Sequence, residues 1–373
     1  MKHILIKNLN RHLANLPGWR TNHKIVVFES DDWGSIRMPS LEAFEFLKSK
    51  GVDVISGDSL RYNLNDTMAT ADDLSALFEI LKSVKDKNGN PAVFTPISLV
   101  ANPDFGKIKA SNYYEYFYEP FTETLKRYNR EDAFPLWQEG IQKHLFVPQF
   151  HGREHLNVQV WLRALQIKDK HTLHAFKQGM WGFKNMHPSD ISYQAAFDLE
   201  NPEDIEYQKS VIVEGLKLFE KLHGYKSTFF VPPNGPFNSQ LEETAQQNGI
   251  RFMSTSKIHR EPQGNGQFKK RIHWLGQKNK YGQRYITRNA FFEPSQTGKD
   301  WVDSCLNDIS IAFKWQKPAV ISSHRVNYIG TLNPANRDNG LYQLKTLLKS
   351  ITKYWPKTEF MTSSDLGDLI NNK

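Results

Sequence analysis

What most constrains this chain is a recurring unit. A short β-branched, apolar run stops abruptly at charged or imidazole side chains, and an amphipathic helical segment follows. Lys24-Ile25-Val26-Val27-Phe28 is the first such run. Its composition predicts a buried strand, and it leads into Glu29-Ser30-Asp31-Asp32-Trp33-Gly34. Parallel sheets and barrels carry their chemistry at the carboxyl ends of strands. Two adjacent carboxylates at such an end repel one another, so one of them calls for a metal or a proton. In isolation the pair reads as a helix N-cap, with Asp32 or Ser35 capping a helix begun near Pro39. The rest of the chain weakens that reading.

The strand pattern returns at 92–100, 145–150, 227–231, 251–254, 285–292, 318–323 and 359–362. Helical periodicity fills 40–50, 72–85, 113–130 (aromatic, broken at Pro120), 137–144, 157–165, 206–223, 239–248, 301–313, 341–354 and 365–370, and residues 1–15 predict a further amphipathic helix. Strand, turn, helix and strand over 227–254 form a βαβ unit, which makes the sheet parallel there. There is no internal repeat and no low-complexity linker. The alternation therefore predicts an α/β fold, a distorted (β/α)7-8 barrel built as a single domain over residues 1–373 with insertions.

Hydrophobic content of 39% and charged content of 24% are those of a soluble globular protein, and no apolar run approaches the ~20 residues that span a bilayer. The N-terminus lacks the apolar stretch and cleavage site of a secretory leader. Cys305 is the single cysteine, so no intrachain disulfide can form. The expectation is a cytoplasmic protein. The net charge of +8 sits in one segment: residues 254–288 hold Lys257, Arg260, Lys269, Lys270, Arg271, Lys278, Lys280, Arg284 and Arg288 against Glu261 alone. That excursion predicts either a solvated loop or a patch for phosphates or an acidic polymer. It lacks the modules and basic-aromatic repeats of nucleic-acid binders, so nucleic acid is not an expected partner.

Two later strand runs also end in imidazoles. The third run is followed by His151-Gly152-Arg153-Glu154-His155 and a late one by His324-Arg325. If a helix begins at His151, residues i and i+4 share a face and both rings can bind one metal. With 13 histidines, roughly 0.4 such pairs arise by chance, so location at a strand end carries the argument rather than spacing. His171 and His174 lack that context and read as packing or surface residues. Two histidines and one carboxylate are a ligand set for a catalytic zinc with an open water position. A spare aspartate can take a proton from that water, and a distant histidine can donate one to a leaving group. The layout is that of metal-assisted hydrolysis of an amide or ester.

In this order the motifs resemble those of the polysaccharide deacetylase family, the NodB-homology type of carbohydrate esterase, which folds as a distorted (β/α) barrel. Phe28 to Gly34 is similar to that family's Thr-Phe-Asp-Asp-Gly motif. His151 to His155 is similar to its His-Ser/Thr-x-x-His motif, Phe230 to Gly235 to its Arg-x-Pro-Tyr-Gly motif, and Ser322-Ser323-His324 to its late Leu-x-His. The similarity runs from about Ile25 to Ile370 with large insertions. It implies Asp31 as general base, Asp32, His151 and His155 as ligands of one divalent metal ion (Zn2+), and His324 as general acid. The implied reaction removes an N- or O-acetyl group from a carbohydrate. With the basic excursion, an acidic or phosphorylated glycan is the expected partner. Trp33, Arg153, Pro233, Asn234 and Arg325 flank the motifs and are the candidate substrate contacts.

The chain departs from the family pattern at particular residues. Val231 stands where the family has an arginine that orients the base aspartate, and Arg153 or Arg325 is the candidate replacement. Asn234 replaces an aromatic residue, Gly152 a Ser/Thr, and Ser322 the leucine that lines the acetyl pocket; Trp33 is inserted before Gly34. Glu293 is the candidate for the family's acidic support of the catalytic histidine. These changes leave open hydrolysis of another carbohydrate or amide bond on the same barrel, and also a non-catalytic glycan- or polyanion-binding barrel.

Overall fold

The computed structural model describes residues 10–185 and 190–372. Its centre is one sheet of nine strands: β1 (Lys24–Trp33), β2 (Phe94–Leu99), β3 (Gln149–Gly152), β4 (Phe229–Phe230), β5 (Phe252–Ser254), β6 (Arg284–Ile286), β7 (Ala290–Phe291), β8 (Ala319–His324) and β9 (Thr358–Phe360). Eight lie side by side in the order β6-β5-β4-β3-β2-β1-β8-β7, and each neighbouring pair is parallel. β9 pairs with the start of β1, along the edge that β2 takes over from Phe28. The two outer strands, β6 and β7, are consecutive in the chain and joined by residues 287–289 alone. The sheet thus curls into a distorted (β/α) barrel with a seam between β6 and β7.

Strand alternation explains the burial. Ile25 and Val27 of β1 face inward, meeting Ile97, Phe229, Phe252, Ile286 and Val320. Val26 and Phe28 face outward into a core shared with the helices Ala71–Lys82, Trp301–Lys314 and Pro334–Tyr354. Burial on both faces is why the run is continuously apolar. Leu366 and Ile370 of the C-terminal helix Ser363–Asn371 join the inner cluster, and Ser363 donates to Glu29 (2.8 Å). That helix fills the barrel beneath the Glu29 row. A separate cluster, including Phe44, Trp161 and Trp181, is built from the helices Leu41–Ser49, Val158–Gln166 and Lys170–Lys177 with the segment 180–183.

Several elements differ from the sequence expectations. Residues 113–117 are not helical; a short strand Tyr118–Pro120 comes first, and the helix Phe121–Arg127 starts after the proline, which suits a helix entry. The ladder of β3 begins only at Gln149, because Pro148 has no N–H to give it. The segment His151–His155 does not start a helix; Val158–Gln166 does, capped by Asn157. The expected strand 285–292 is two strands separated by the seam. The basic excursion is largely an antiparallel hairpin, Ile258–Gly264 against Gln267–Ile272. Of the expected N-terminal helix, residues 10–14 are helical and 1–9 lie outside the described residues. Among the described residues no helix is long and apolar enough to cross a membrane.

The long helix Pro334–Tyr354 approaches the turn after β8 at Gly340. A Cβ there would lie 1.7 Å from the Asn327 carbonyl oxygen, which is backbone and cannot swing aside. Gly340→Ala is therefore expected to destabilise the protein by about 2 kcal/mol or more, although alanine is the better helix former. Urea denaturation measures this; an unchanged midpoint and slope would contradict the packing described.

Candidate metal centre and active site

β1 delivers two carboxylates to one place by breaking its own regularity. In an even strand Asp31 and Asp32 would point to opposite faces. The pairing with β2 runs Ser30↔Pro96 and then Trp33↔Ser98, one residue more on β1 than on β2. Asp32 is in the left-handed region, φ +74°. Such a bulge re-aims a side chain, and here it turns Asp32 toward β3. β3 has a matching irregularity: Ser98 pairs with Phe150 and Leu99 with Gly152, leaving His151 as the extra residue. Gly34 ends the β1 turn at φ +85°, where a Cβ would meet the Leu99 carbonyl oxygen at 2.2 Å.

His151 Nε2 lies 3.5 Å and His155 Nε2 3.2 Å from Asp32 Oδ1. The three residues are buried, and one candidate ligand atom from each falls within 4.8 Å of the others. His151 Nδ1–H donates to the Val231 carbonyl (2.6 Å), which fixes the tautomer and leaves the Nε2 lone pair facing Asp32. That Nε2 is buried without a hydrogen-bond partner. Burial pushes the His155 imidazole down in spite of Asp32, toward the neutral form that binds metals. Burial alone would raise Asp32; the neighbouring His151 and His155, with the charge of His324, instead hold it well below the usual carboxylate range. An orphaned lone pair, two buried imidazoles and one carboxylate fit a divalent ion.

Asp31 has a different set of partners. Arg288 donates Nη1 and Nη2 to its two oxygens (2.7 and 2.6 Å) and Nε to Glu29 (2.6 Å). Burial works to raise Asp31, but Arg288 outweighs it and keeps the carboxyl below its ordinary value. Glu29, two residues earlier on the same inward row and wholly buried, is pushed up by burial despite Arg288 and Ser363. Arg288 also donates to Ser322 Oγ (3.0 Å).

His324 is opposite Asp31 in the β1–β8 register, with Nε2 3.8 Å from Asp31 Oδ2. Its Nδ1–H donates to Glu293 (2.5 Å), whose other oxygen accepts from Arg61 (2.9 Å) and Asn327 (3.0 Å). Tyr62 meets the His324 ring edge-on at 5.9 Å and is flanked by the guanidinium groups of Arg37 and Arg61. Burial would lower His324, but Glu293 overrides it and the imidazole is raised to about 9.

Of the residues singled out in the sequence, Asp31, Asp32, His151, His155 and His324 come together. Pro233 and Asn234 lie in the turn after β4, Pro233 buried and Asn234 exposed at φ +56°. The other three candidate contacts are buried and engaged by other parts of the protein. Trp33 is 1% exposed and packed edge-on against Trp137 and Phe146. Arg153 is buried on Glu154, Glu214 and Tyr207. Arg325 is buried on Asp66 (2.9 and 3.0 Å) and the Ser35 carbonyl. Neither arginine reaches Asp31; Arg288 does. Sequence reasoning counted Arg288 as surface charge, whereas Ile286 faces inward and alternation carries Arg288 to the same side. Lys257, Arg271 and Arg284 are likewise held by internal hydrogen bonds, so the excursion is less of a free basic patch than its composition implied.

No family model and no curated relative matches the sequence. Similar solved structures include a Mycobacterium smegmatis protein described as a polysaccharide deacetylase (10% identity, TM-score 0.45, covering 96% of this chain and 94% of that one). Another, from Pseudomonas aeruginosa PAO1 and described in the same way, has 8% identity and a TM-score of 0.46, covering 94% and 92%. Puue allantoinase has 9% identity and a TM-score of 0.48, covering 94% and 91%.

The His324–Glu293 pair has a pH signature. The folded value of about 9 lies above the unfolded ~6.5. The pair's contribution to stability is therefore complete below about pH 6.5 and lost as pH rises through about 9. In the metal-free protein, NMR titration of the His324 ring is expected to show it still protonated at about pH 8, and Glu293→Gln to move its titration down toward ~6.5. A wild-type ring titrating near its ordinary value would contradict this.

Proposed function

We propose that this protein is a metal-dependent hydrolase that removes an N- or O-linked acyl group, acetyl in the first instance, from a carbohydrate. The observation that carries the reading is a division of labour between adjacent carboxylates. Asp32 meets two imidazoles at 3.2 and 3.5 Å, while Asp31 meets none of them at that range and is clamped by Arg288. Asp32, His151 and His155 would hold the ion, and zinc suits this donor set. When bound, it would supply Lewis-acid polarisation of the acyl carbonyl and a more acidic water.

This chain's residues supply the proton transfers. Asp31, ionised and fixed at both oxygens by Arg288, accepts the proton of the attacking water. Its low basicity is matched to a water that has been made acidic. Addition of that water gives a tetrahedral carbon, which collapses when the C–N or C–O bond to the leaving group breaks. His324, held protonated by Glu293, gives its Nε2 proton to the departing amine or alkoxide. Glu293 acts through His324; burial works to raise its carboxyl, but His324 first, then Arg61 and Asn327, keep it ionised, and the last two hold it in place.

Ser322 favours a second reading of the substrate. It stands at the position expected to line an acetyl pocket, yet its hydroxyl is polar and bonded to Arg288. The same chemistry on another amide or ester of a carbohydrate fits that lining.

The test pairs elemental analysis with turnover on acetylated oligosaccharides. Wild-type protein is expected to carry about one divalent ion per chain. Asp32→Ala is expected to lose it. Asp31→Asn is expected to keep it and to lower turnover by roughly 10²–10⁴-fold. A fully active Asp31→Asn variant, or wild-type protein that takes up no ion, would overturn the assignment.

A further inference from the structure

The carboxyl end of the sheet has a second feature, a cavity of about 400 Å³ beside the ends of β4 and β5. Pro232, Phe237, Met253 and Ser254 line one side of it, and the hairpin 258–272 lines the other. Strand alternation decides which hairpin residues face it. His259 and Glu261 share one face, Arg271 pairs with His259 across the hairpin, and His273 continues that face one step beyond the strand. The opposite face leaves Ile258, Arg260, Phe268 and Lys270 exposed.

Thr255 Oγ1, His259 Nε2 and both ring nitrogens of His273 are buried with no hydrogen-bond partner in the protein. The two histidines are each only 8% exposed, with ring centroids 5.7 Å apart. A buried polar atom without a partner is unfavourable, and native proteins hold few. The three residues that carry these four atoms all line one cavity, and its volume is in the range of small-ligand sites. That convergence points to a ligand that supplies the partners.

The lining indicates the ligand's chemistry. Glu261 is already engaged by Arg271 and Ser239, and Glu242 by the Tyr285 hydroxyl. The uncommitted interior groups are therefore uncharged: burial lowers His273 to about 4 and also lowers His259. A neutral imidazole offers one donor and one acceptor, and a threonine hydroxyl offers both. Phe237 and Met253 add apolar surface. Hydroxyl groups that donate and accept, set around C–H faces, match this lining. Lys278 and Lys280 also border the cavity but are solvent-exposed.

We infer that this cavity binds one neutral sugar residue of an oligosaccharide, held by Thr255, His259 and His273. Pro232, on its wall, follows Val231, whose carbonyl holds His151, so the cavity adjoins the metal centre. That the sugar belongs to the hydrolase's own substrate rests on the function proposed above; that the cavity binds it does not.

Calorimetric titration of the full chain with chitotetraose, cellotetraose, xylotetraose, mannotetraose and tetragalacturonate tests this. At least one neutral tetrasaccharide is expected to bind, His273→Leu and Thr255→Val each weakening it by about tenfold or more. Thr255→Val is nearly isosteric and carries the test if His273→Leu fails to fold. The inference is overturned if no neutral sugar binds, if tetragalacturonate binds in preference, or if both cavity variants bind like wild type. Chitotetraose that binds but keeps its acetyl groups would refute only the hydrolase, and deacetylation with KM unchanged in both cavity variants would refute only the subsite.

Discussion

The structure depends on one guanidinium. Glu29, Asp31, Asp32 and Glu293 crowd the carboxyl end of the barrel with their side chains almost wholly out of water. Buried carboxylates are tolerable only if each is matched, and removing one member of a buried ion pair costs about 3–5 kcal/mol. Arg288 spans Glu29 and Asp31, two imidazoles meet Asp32, and Glu293 is shared by His324, Arg61 and Asn327. Arg288 comes from the three residues that join the barrel's two edge strands. The seam is thus the route by which a long cation reaches the centre, and Arg288 holds the stack of acids together as well as orienting Asp31.

Around that interaction the fold uses local irregularity to aim side chains. Asp32 and His151 are each the extra residue where a parallel ladder shifts register. Regular strands would have turned both away from their neighbours' inward rows. The left-handed backbone of Asp32 is tolerated because aspartate is among the side chains that accept it and because its surroundings hold it: Asn102 accepts from the Ile36 N–H and donates to the Gly34 carbonyl, fixing the turn that follows. Strain placed where chemistry is proposed is a recurrent pattern.

Much of the architecture was legible because strands and helices impose different periods. The β1 run, the βαβ unit over 227–254 and the long helices were read from apolar spacing, and the parallel barrel followed. The misreadings have local causes. Residues 113–117 are rich in aromatics that suit helix, strand or loop, and Pro120 set the true helix start. The hairpin 258–272 was hidden by its charges, since alternation of His259, Glu261 and Arg271 against exposed residues looks like a polar loop when charge alone is counted.

The sequence by itself determined the inventory: strands ending in Asp31-Asp32, His151 with His155, and His324, each placed by apolar runs whose period is intrinsic to the backbone. Tertiary structure decided which of the many cations serves that inventory. Arg153 and Arg325 are near the motifs in sequence but are consumed by Glu154 and Asp66, while Arg288, distant from all of them, lies on Asp31. Which carboxylate a long side chain reaches depends on how the sheet curls and where its edges meet. That is a property of strand order in space, and no spacing along the chain encodes it.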